Sequence, residues 1–245
     1  MVAERTNANG SRKFKRLLDE ENWDGLVELY KNALRLKRRT PDELELLLQL
    51  GEIVWKKIGD LTGAERYFRR VRLADPKRLE MLQFYKCFFE SEGNWKKYYS
   101  TLSTLRGVVV DDERMPLAAE MARVAREELK SPEKAIDVWK SVLKSDSGSE
   151  QARAALLELY LEAGKWNALL EHYKDEIARR GNPRLDEDRA EVVDLHLKMV
   201  DIYRDRLKLD VMVIQTYNAI LQVDPDNEDA IDALTERFEK ARRWN

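Results

Sequence analysis

The side chains best suited to chemistry in this sequence are two histidines, one cysteine and two short acidic runs. His172 and His196 each lack a glutamate three residues earlier, so neither completes the Glu-x-x-His pattern of di-iron carboxylate sites. Two histidines are too few for a histidine-rich metal centre, and a single cysteine excludes an intramolecular disulfide and a cysteine-rich zinc site. The sequence therefore predicts neither a bound metal nor a cofactor.

The remaining candidates each have a structural interpretation as well as a chemical one. Cys87 is interpreted as a packed, inert cysteine, and the alternative is a weakly reactive thiol that lines a binding surface. The acidic runs at 111–113 and 186–188 contain possible metal-binding carboxylates, but each stands just before a predicted helix, where acidic residues interact favourably with the helix dipole. His172 is interpreted as a partly buried structural histidine. No phosphate-binding loop, nucleophile elbow or kinase signature occurs, so the sequence predicts a protein that is not an enzyme.

The composition indicates that helices position these residues. Charged residues make up 37% of the chain and apolar residues 43%, with only 10 glycines and 6 prolines, whereas strand-rich proteins need more turn residues. The net charge of −2 does not suggest a nucleic-acid or membrane binder. The sequence has neither an apolar leader nor a window of about 18 apolar residues. These features predict a cytoplasmic protein.

Six segments share one pattern, in which a short turn leads into a helix with a large residue four positions after a reference position. The reference positions follow each other at intervals of 38, 34, 37, 34 and 44 residues. They are Leu26, Ala64, Tyr98, Ala135, Leu169 and Val213, and the large residues are Tyr30, Phe68, Leu102, Trp139, Tyr173 and Tyr217. A period of about 20–50 residues is typical of stacked helix pairs, because one hairpin cannot bury its apolar face alone.

Apolar residues between these segments recur with the helical period, so each repeat is predicted to contain two helices. Gly59, Gly93 and Gly164 are expected to end a helix in the left-handed conformation. Ser131 before Pro132 is expected to start one. The thirteen predicted helices are 11–21, 24–38, 41–58, 61–73, 77–92, 95–108, 114–129, 132–145, 149–163, 166–180, 186–207, 210–222 and 227–241.

The segment LGEIVWKKIGDLTGAERYFRRVRLADP, residues 50–76, resembles a tetratricopeptide repeat. The family pattern has a Leu-Gly pair and an aromatic residue, a Gly-Asp turn, then an alanine, an aromatic residue and a closing Asp-Pro. The matching residues are Leu50, Gly51, Trp55, Gly59, Asp60, Ala64, Phe68, Asp75 and Pro76. One residue is inserted before the turn, so Trp55 stands one place late. The last segment is similar at Val213, Tyr217 and Pro225, and the other repeats are degenerate.

The resemblance covers nearly the whole chain and implies an all-α fold, a right-handed superhelical α-solenoid of antiparallel helix pairs with about six repeats over residues 1–245. Half-a-TPR repeats are a related alternative. Trp244 stands where Trp23, Trp95 and Trp166 open their helices, which predicts that the chain is a fragment of a longer array; alternatively, helix 227–241 is the cap. The loop at 181–189 is interpreted either as a joint between two sub-arrays or as an insertion in one continuous array.

The resemblance also implies a binding groove, because in this family the first helix of each pair lines a surface that binds an extended peptide or a helix. The corresponding positions are Lys56, Lys57, Gln83, Cys87, Glu90, Glu120, Glu127, Glu128, Glu158, Glu162, Asp201, Asp205, Asp232 and Glu236. Beyond the first repeat this surface is acidic, which favours a basic partner. Alternatively, these residues are the solvent-exposed face of charge-rich helices.

We therefore predict a non-catalytic protein–protein interaction scaffold that binds a peptide or helix of basic character, with a homodimer as an open alternative. A second hypothesis is RNA or DNA association through the basic N-terminal third. Residues 1–80 contain 18 Lys or Arg and 14 Asp or Glu, a net charge of +4, whereas residues 81–245 have a net charge of −6. The basic runs at 12–16, 35–39 and 69–72 could form a phosphate-binding patch, although solvated helix faces are the preferred interpretation.

Overall fold

The computed structural model describes residues 8–37, 42–181 and 186–242. Thirteen α-helices, and no β-strand, occupy these described residues. The chain divides into two compact units, Met1–Val138 and Trp139–Asn245, and the boundary between them falls inside the eighth helix. The all-α class is therefore confirmed.

The first unit contains seven complete helices and the start of an eighth. They are α1 (Ala8–Asp19), α2 (Trp23–Leu36), α3 (Asp42–Glu52), α4 (Leu61–Ala74), α5 (Leu79–Ser91), α6 (Trp95–Val108), α7 (Asp111–Glu127) and α8 (Pro132–Ser145). The second unit begins within α8 and continues with α9 (Glu150–Glu162), α10 (Trp166–Arg180), α11 (Asp186–Asp201), α12 (Asp210–Val223) and α13 (Glu228–Arg242). A π-helical turn at Ile53–Ile58 extends α3, and a second one at Ile202–Leu207 extends α11.

Helices alternate between two positions in each repeat, and we call the odd-numbered ones A helices and the even-numbered ones B helices. In the first unit α3 packs on α4, and α5 packs on α6; in the second, α9 packs on α10 and α11 on α12. Every reference residue is at most 1% exposed, and the large residue four positions later is at most 8% exposed. The predicted repeat register is thus confirmed, because the reference position and the large residue of every repeat are buried.

Glycine at position 51 permits a close approach within this core. A Cβ atom at Gly51 would lie 2.8 Å from Cε2 of Phe68, which is fully buried in α4. The Leu-Gly pair of α3 therefore has a packing role, because only a residue without a side chain lets α3 rest against that ring.

A left-handed residue ends each of the A helices α1, α3, α5, α7, α9 and α11. Each of these residues has positive φ and stands five residues before a reference position: Glu21 (50°), Gly59 (81°), Gly93 (63°), Lys130 (50°), Gly164 (61°) and Lys208 (56°). The glycine predictions are confirmed, and three further turns of the same kind use glutamate or lysine. Side chains then cap several B helices, as when Asp60 accepts a hydrogen bond from the Gly63 amide at 2.8 Å.

The hydrogen bond that closes each of these turns spans either five or six residues. In a narrow turn the amide after the left-handed residue donates five residues back, as from Asn94 to the Phe89 carbonyl at 2.9 Å. In a wide turn it donates six residues back, as from Asp60 to Val54 at 3.0 Å. The other wide turns close from Ser131 to Ala125 and from Leu209 to Tyr203, each at 2.9 Å. The intervals of 38, 37 and 44 residues end at wide turns and both intervals of 34 end at narrow ones, which explains why Trp55 stands one place late.

Several predicted boundaries differ from the observed ones. The helix predicted at 114–129 begins at Asp111, so the acidic run 111–113 lies inside its first turn, where the carboxylates face the helix dipole directly. The loop at 181–189, interpreted as either a joint or an insertion, includes residues 182–185, which lie outside the described residues, so both interpretations stay predictions. Trp244, on which the prediction of a longer array rests, also lies outside the described residues.

Replacing Lys130 with glycine is expected to stabilise the fold by about 0.5–1 kcal/mol, because glycine adopts the left-handed region without the steric cost that a Cβ atom brings. Urea unfolding followed by circular dichroism measures the change. Lys140→Gly, an identical replacement inside α8, is the control and should destabilise by about 1 kcal/mol. Equal losses in both variants would contradict the role assigned to this turn.

Candidate functional site

The A helices of the first unit lie beside one another. The rings of Trp55 on α3 and Phe84 on α5 are 5.6 Å apart, and Lys86 Nζ on α5 lies 2.7 Å from Glu120 Oε2 on α7. Gln83, Cys87 and Glu90 follow each other on one face of α5, and all three are exposed. Three residues named for the predicted groove thus lie on one exposed face of α5.

Glu120 has a different role from the one that its position predicted. Besides its ion pair with Lys86, it accepts a hydrogen bond from the hydroxyl of fully buried Tyr98. Burial, followed by this hydrogen bond to the carboxylate, raises the pKa of Tyr98 well above its ordinary range. The charge of Glu120 is therefore used to join α5, α6 and α7, and it contributes little to an external field.

We call Glu90, Glu127 and Glu128 the acidic row of the first unit; all three side chains are exposed. Glu127 accepts a hydrogen bond from Arg123 at 3.2 Å, so its charge is balanced locally. Glu90 and Glu128 have no ion-pair partner within the part of the chain that the structure describes. The acidic character predicted for this surface thus rests mainly on these two carboxylates.

In the second unit the predicted groove residues are exposed but carry less net charge than their number suggests. Asp201 and Asp205 share Arg204, whose Nη2 lies 2.5 Å and 2.9 Å from their carboxylates. The hydrogen bond from Arg204 lowers the pKa of Asp205. The remaining exposed residues are Glu158 and Glu162 on α9 and Asp232 and Glu236 on α13.

A groove in the first unit is bounded by α1, α2 and α3, and we call it the α1–α3 groove. Its volume is about 460 Å³. It contains the predicted residues Lys56 and Lys57 at one end of α3. The floor and walls come from Phe14, Leu18, Trp23, Leu26, Tyr30 and Ile53, and the polar rim from Glu45, Gln49, Glu52, Lys56 and Lys57.

The rim of the α1–α3 groove is ordered by internal contacts. The Tyr30 hydroxyl donates to Gln49 Oε1 at 3.0 Å, and Gln49 Nε2 donates to Glu45 Oε1 at 2.9 Å. Lys56 Nζ lies 2.6 Å from Glu52 Oε1. These contacts leave a fixed polar wall beside an apolar floor, in which Phe14, Leu26 and Tyr30 are at most 4% exposed.

Lys57 lies at the mouth of the groove, with its ammonium 4.9 Å from the centroid of the Trp23 ring. Sequence reasoning identified the two lysines but missed Trp23 and Gln49. The periodicity of α3 contained part of the signal, because positions 45, 49, 52, 53, 56 and 57 follow one helix face. Nothing in the sequence indicated that α1 and α2 would leave space opposite that face.

The residues considered for chemistry do not come together. Within residues 8–37, 42–181 and 186–242, no group of three or more His, Cys, Asp or Glu side chains is arranged to hold a metal ion. His196 Nδ1 contacts the Val192 carbonyl at 2.9 Å, within its own helix. Burial lowers the pKa of His172. Cys87 is exposed, so its interpretation as a packed cysteine is wrong. Partial burial and the nearby Glu90 carboxylate raise the pKa of its thiol, which makes it a weak nucleophile.

The basic runs of the N-terminal third are dispersed among local partners. Arg16 lies 3.9 Å from Glu20, Lys37 lies 3.2 Å from Asp42, and Arg70 contacts Glu43. Residues 38 and 39 of the second run lie outside the described residues. These contacts do not favour the nucleic-acid hypothesis. In the part of the chain that the structure describes, no helix combines the length and the apolar character needed to cross a membrane.

Comparison with known proteins gives similarity at the level of structure alone. No protein-family model and no curated protein sequence matches the chain. A chain in the structure of Naa15/Naa10 bound to HypK-THB is similar with a TM-score of 0.50 and 14% identity, over 95% of this chain and 39% of that one. A tetratricopeptide repeat protein from Parabacteroides merdae is similar with a TM-score of 0.45 and 16% identity, over 91% of this chain and 95% of that one.

MamA is also similar, with a TM-score of 0.41 and 16% identity over 65% of this chain and 89% of its own. At these identities the comparisons concern the fold. The six helix pairs, their buried reference positions and the regular left-handed turns form a tetratricopeptide-like helical-repeat fold.

Proposed function

We propose that the chain is a non-catalytic scaffold that binds a segment of another protein on the A-helix face of its first unit. The observation that carries this proposal is the α1–α3 groove, an open cleft with an apolar floor and a rim of fixed polar groups. Its volume of about 460 Å³ lies within the range of clefts that bind ligands. A large apolar side chain of the partner enters this groove, since buried anchors of that type dominate protein interfaces.

The charges of the same face support a basic partner. Glu52 balances Lys56, so the rim of the groove has no large net charge to repel such a segment. Glu90 and Glu128 are exposed on the following A helices and lack internal ion pairs among the described residues. Positive side chains that follow the apolar anchor pair with these carboxylates, which raises the association rate at low salt.

The proposal includes no reaction. The groove contains neither histidine nor cysteine, and the exposed thiol of Cys87 has a raised pKa. A single cysteine and a charge-rich composition support a cytoplasmic location.

A labelled peptide of about 15 residues, in which lysine, leucine and phenylalanine follow a helical period, tests the proposal directly. Glu90→Lys combined with Glu128→Lys is expected to weaken its binding about three- to tenfold, because two attractive contacts become repulsive. Fluorescence anisotropy at low and physiological salt measures the change, which should shrink as salt screens the charges.

Glu28→Lys combined with Asp137→Lys is the matched control, since it makes the same change in charge at exposed positions of the B helices α2 and α8. This pair should bind the peptide as the unaltered chain does. Equal weakening by the two double variants would mean that net charge alone controls binding. Unchanged binding by Glu90→Lys with Glu128→Lys would show that the peptide does not bind on the A helices.

A further inference from the structure

We infer that the first unit has a second binding surface, between the B helices α4 and α6, which takes an acidic segment of a partner protein. This surface, the α4–α6 groove, has a volume of about 270 Å³. Its lining includes Arg72, Tyr85, Phe89, Lys97, Ser100 and Thr104. It is independent of the proposed function above, because none of these residues lines the α1–α3 groove or belongs to the acidic row.

The floor of the α4–α6 groove is rigid and apolar. The rings of Tyr85 and Phe89 stack with their centroids 5.1 Å apart and their planes at 22°. They are 2% and 5% exposed, and the neighbouring Met81 is fully buried. A ligand would therefore rest on a preformed surface and would not need to order it.

Two cations stand over this stacked pair. The guanidinium of Arg72 lies 4.6 Å from the Tyr85 centroid, and the ammonium of Lys97 lies 5.3 Å from the Phe89 centroid. Neither cation has an ion pair with a carboxylate among the described residues, in contrast to Arg70, which contacts Glu43. The aromatic rings hold both charges at the mouth of the groove without neutralising them.

The other charges around the floor leave the surface positive. Burial raises the pKa of Tyr85 above its ordinary range, and the nearby charges of Arg72 and Arg69 oppose that rise. Glu65 accepts a hydrogen bond from the Tyr85 hydroxyl at 3.2 Å. Within the described residues, no carboxylate is among the side chains that line the groove itself. In the basic run at 69–72, Arg70 pairs with Glu43 but Arg72 does not pair with a carboxylate among the described residues. The surface around the groove therefore keeps an excess of positive charge.

This combination fits carboxylates next to an apolar side chain. Aspartate or glutamate groups of the partner would pair with Arg72 and Lys97, and exposed Ser100 lies beside them as a hydrogen-bonding hydroxyl. A nucleic acid fits less well, because Arg72 and Lys97 stand over the faces of the two nearly buried rings, so a base could not stack there although a smaller apolar side chain could reach the floor.

The test uses the full chain and a labelled peptide of about 12 residues containing aspartate, glutamate, leucine and phenylalanine. Arg72→Gln combined with Lys97→Gln is expected to weaken binding by about tenfold or more in fluorescence anisotropy. The control pair, Arg66→Gln with Lys96→Gln, removes equal charge from exposed positions of the same two helices and should change binding by less than about twofold. Ser100→Trp, which fills the groove at constant charge, should also weaken binding.

A variant with reversed charges distinguishes a loss of binding from a loss of folding. Arg72→Glu with Lys97→Glu should reject the acidic peptide and gain affinity for one in which lysine replaces the acidic residues, and an unfolded chain would not show that reversal. Glu90→Lys with Glu128→Lys should retain the acidic peptide, which separates this surface from the A-helix face. Equal weakening by the two Gln pairs, or tighter binding of a single-stranded RNA of similar length with the same dependence on Arg72 and Lys97, would overturn the inference.

Discussion

Replacing Phe84 with alanine is expected to cost the fold about 3–5 kcal/mol, the largest effect of any single change considered for this chain. Phe84 is fully buried and stacks on Phe68 with 4.2 Å between ring centroids. Trp55 and Phe88 lie 5.6 Å and 5.5 Å from the same ring. Because these rings belong to α3, α4 and α5, the cavity would weaken the contact between two successive repeats.

Urea unfolding followed by circular dichroism and tryptophan fluorescence measures this loss. Phe238→Ala is the matched control, since Phe238 on α13 is 54% exposed and its removal leaves little cavity. We expect that variant to lose less than about 1 kcal/mol. Similar losses in the two variants would show that the aromatic cluster around Phe84 does not couple the repeats as described.

Replacing Glu176 with glutamine is expected to destabilise the second unit by about 2–4 kcal/mol. Glu176 lies 2.9 Å from Arg153 and 2.9 Å from Arg180, and the side chains of Glu176 and Arg153 are only 12% and 13% exposed. The ion pair joins α9 to α10, and removing its negative charge leaves the mostly buried guanidinium of Arg153 without its anion. Among the described residues Arg153 Nε has no hydrogen-bond partner, and apart from Glu176 its guanidinium donates only to the Ser147 carbonyl, a neutral group that cannot replace the lost charge.

Glu171→Gln provides the control, because Glu171 also pairs with a cation, Lys174 at 2.7 Å, but is 69% exposed. That exposed pair should contribute less than about 1 kcal/mol. A loss for Glu176→Gln as small as the loss for Glu171→Gln would contradict the role of burial.

The loss of stability caused by Glu176→Gln should become smaller at acidic pH. Burial opposes ionisation of this carboxyl, but hydrogen bonds from Arg180 and Arg153 outweigh it and lower the pKa of Glu176 below its ordinary value of 4.5. A carboxyl with a lowered pKa in the folded state stabilises that state above its unfolded pKa and loses this contribution as pH falls through the folded pKa. The difference between the unaltered chain and Glu176→Gln should therefore be full near neutral pH and shrink below about pH 4.5.

The repeat pattern was the part of the structure most accessible from the sequence. Core positions such as Leu26 and Phe68 follow a fixed spacing from each turn, and spacing survives in a sequence even when residue types diverge. The turns at Gly59 and Gly93 were equally readable, because glycine has a specific preference for left-handed backbone. Lys130 and Lys208 occupy the same turn without that signal, so their conformation became evident only from the structure.

The binding surfaces were harder to predict, because they depend on which side chains neutralise one another. The sequence suggested that Asp201 and Asp205 give a groove two negative charges, but Arg204 pairs with both, so the three side chains have a net charge of −1. Arg72 and Lys97 are 25 positions apart and give no joint signal in the sequence, although both stand over the same stacked rings. Such arrangements depend on contacts between helices, which periodicity does not encode.

The wide turns after α3, α7 and α11 allow this chain to change its length without disturbing its core. One residue added inside an α-helix rotates everything beyond it by about 100°, which would turn the apolar stripe of the next helix towards water. Here the added residue is enclosed by a longer hydrogen-bonded loop, and Gly59, Lys130 and Lys208 still stand five residues before buried reference positions. The residue added at each wide turn is thus accommodated at the end of an A helix, where it leaves the inner register unchanged.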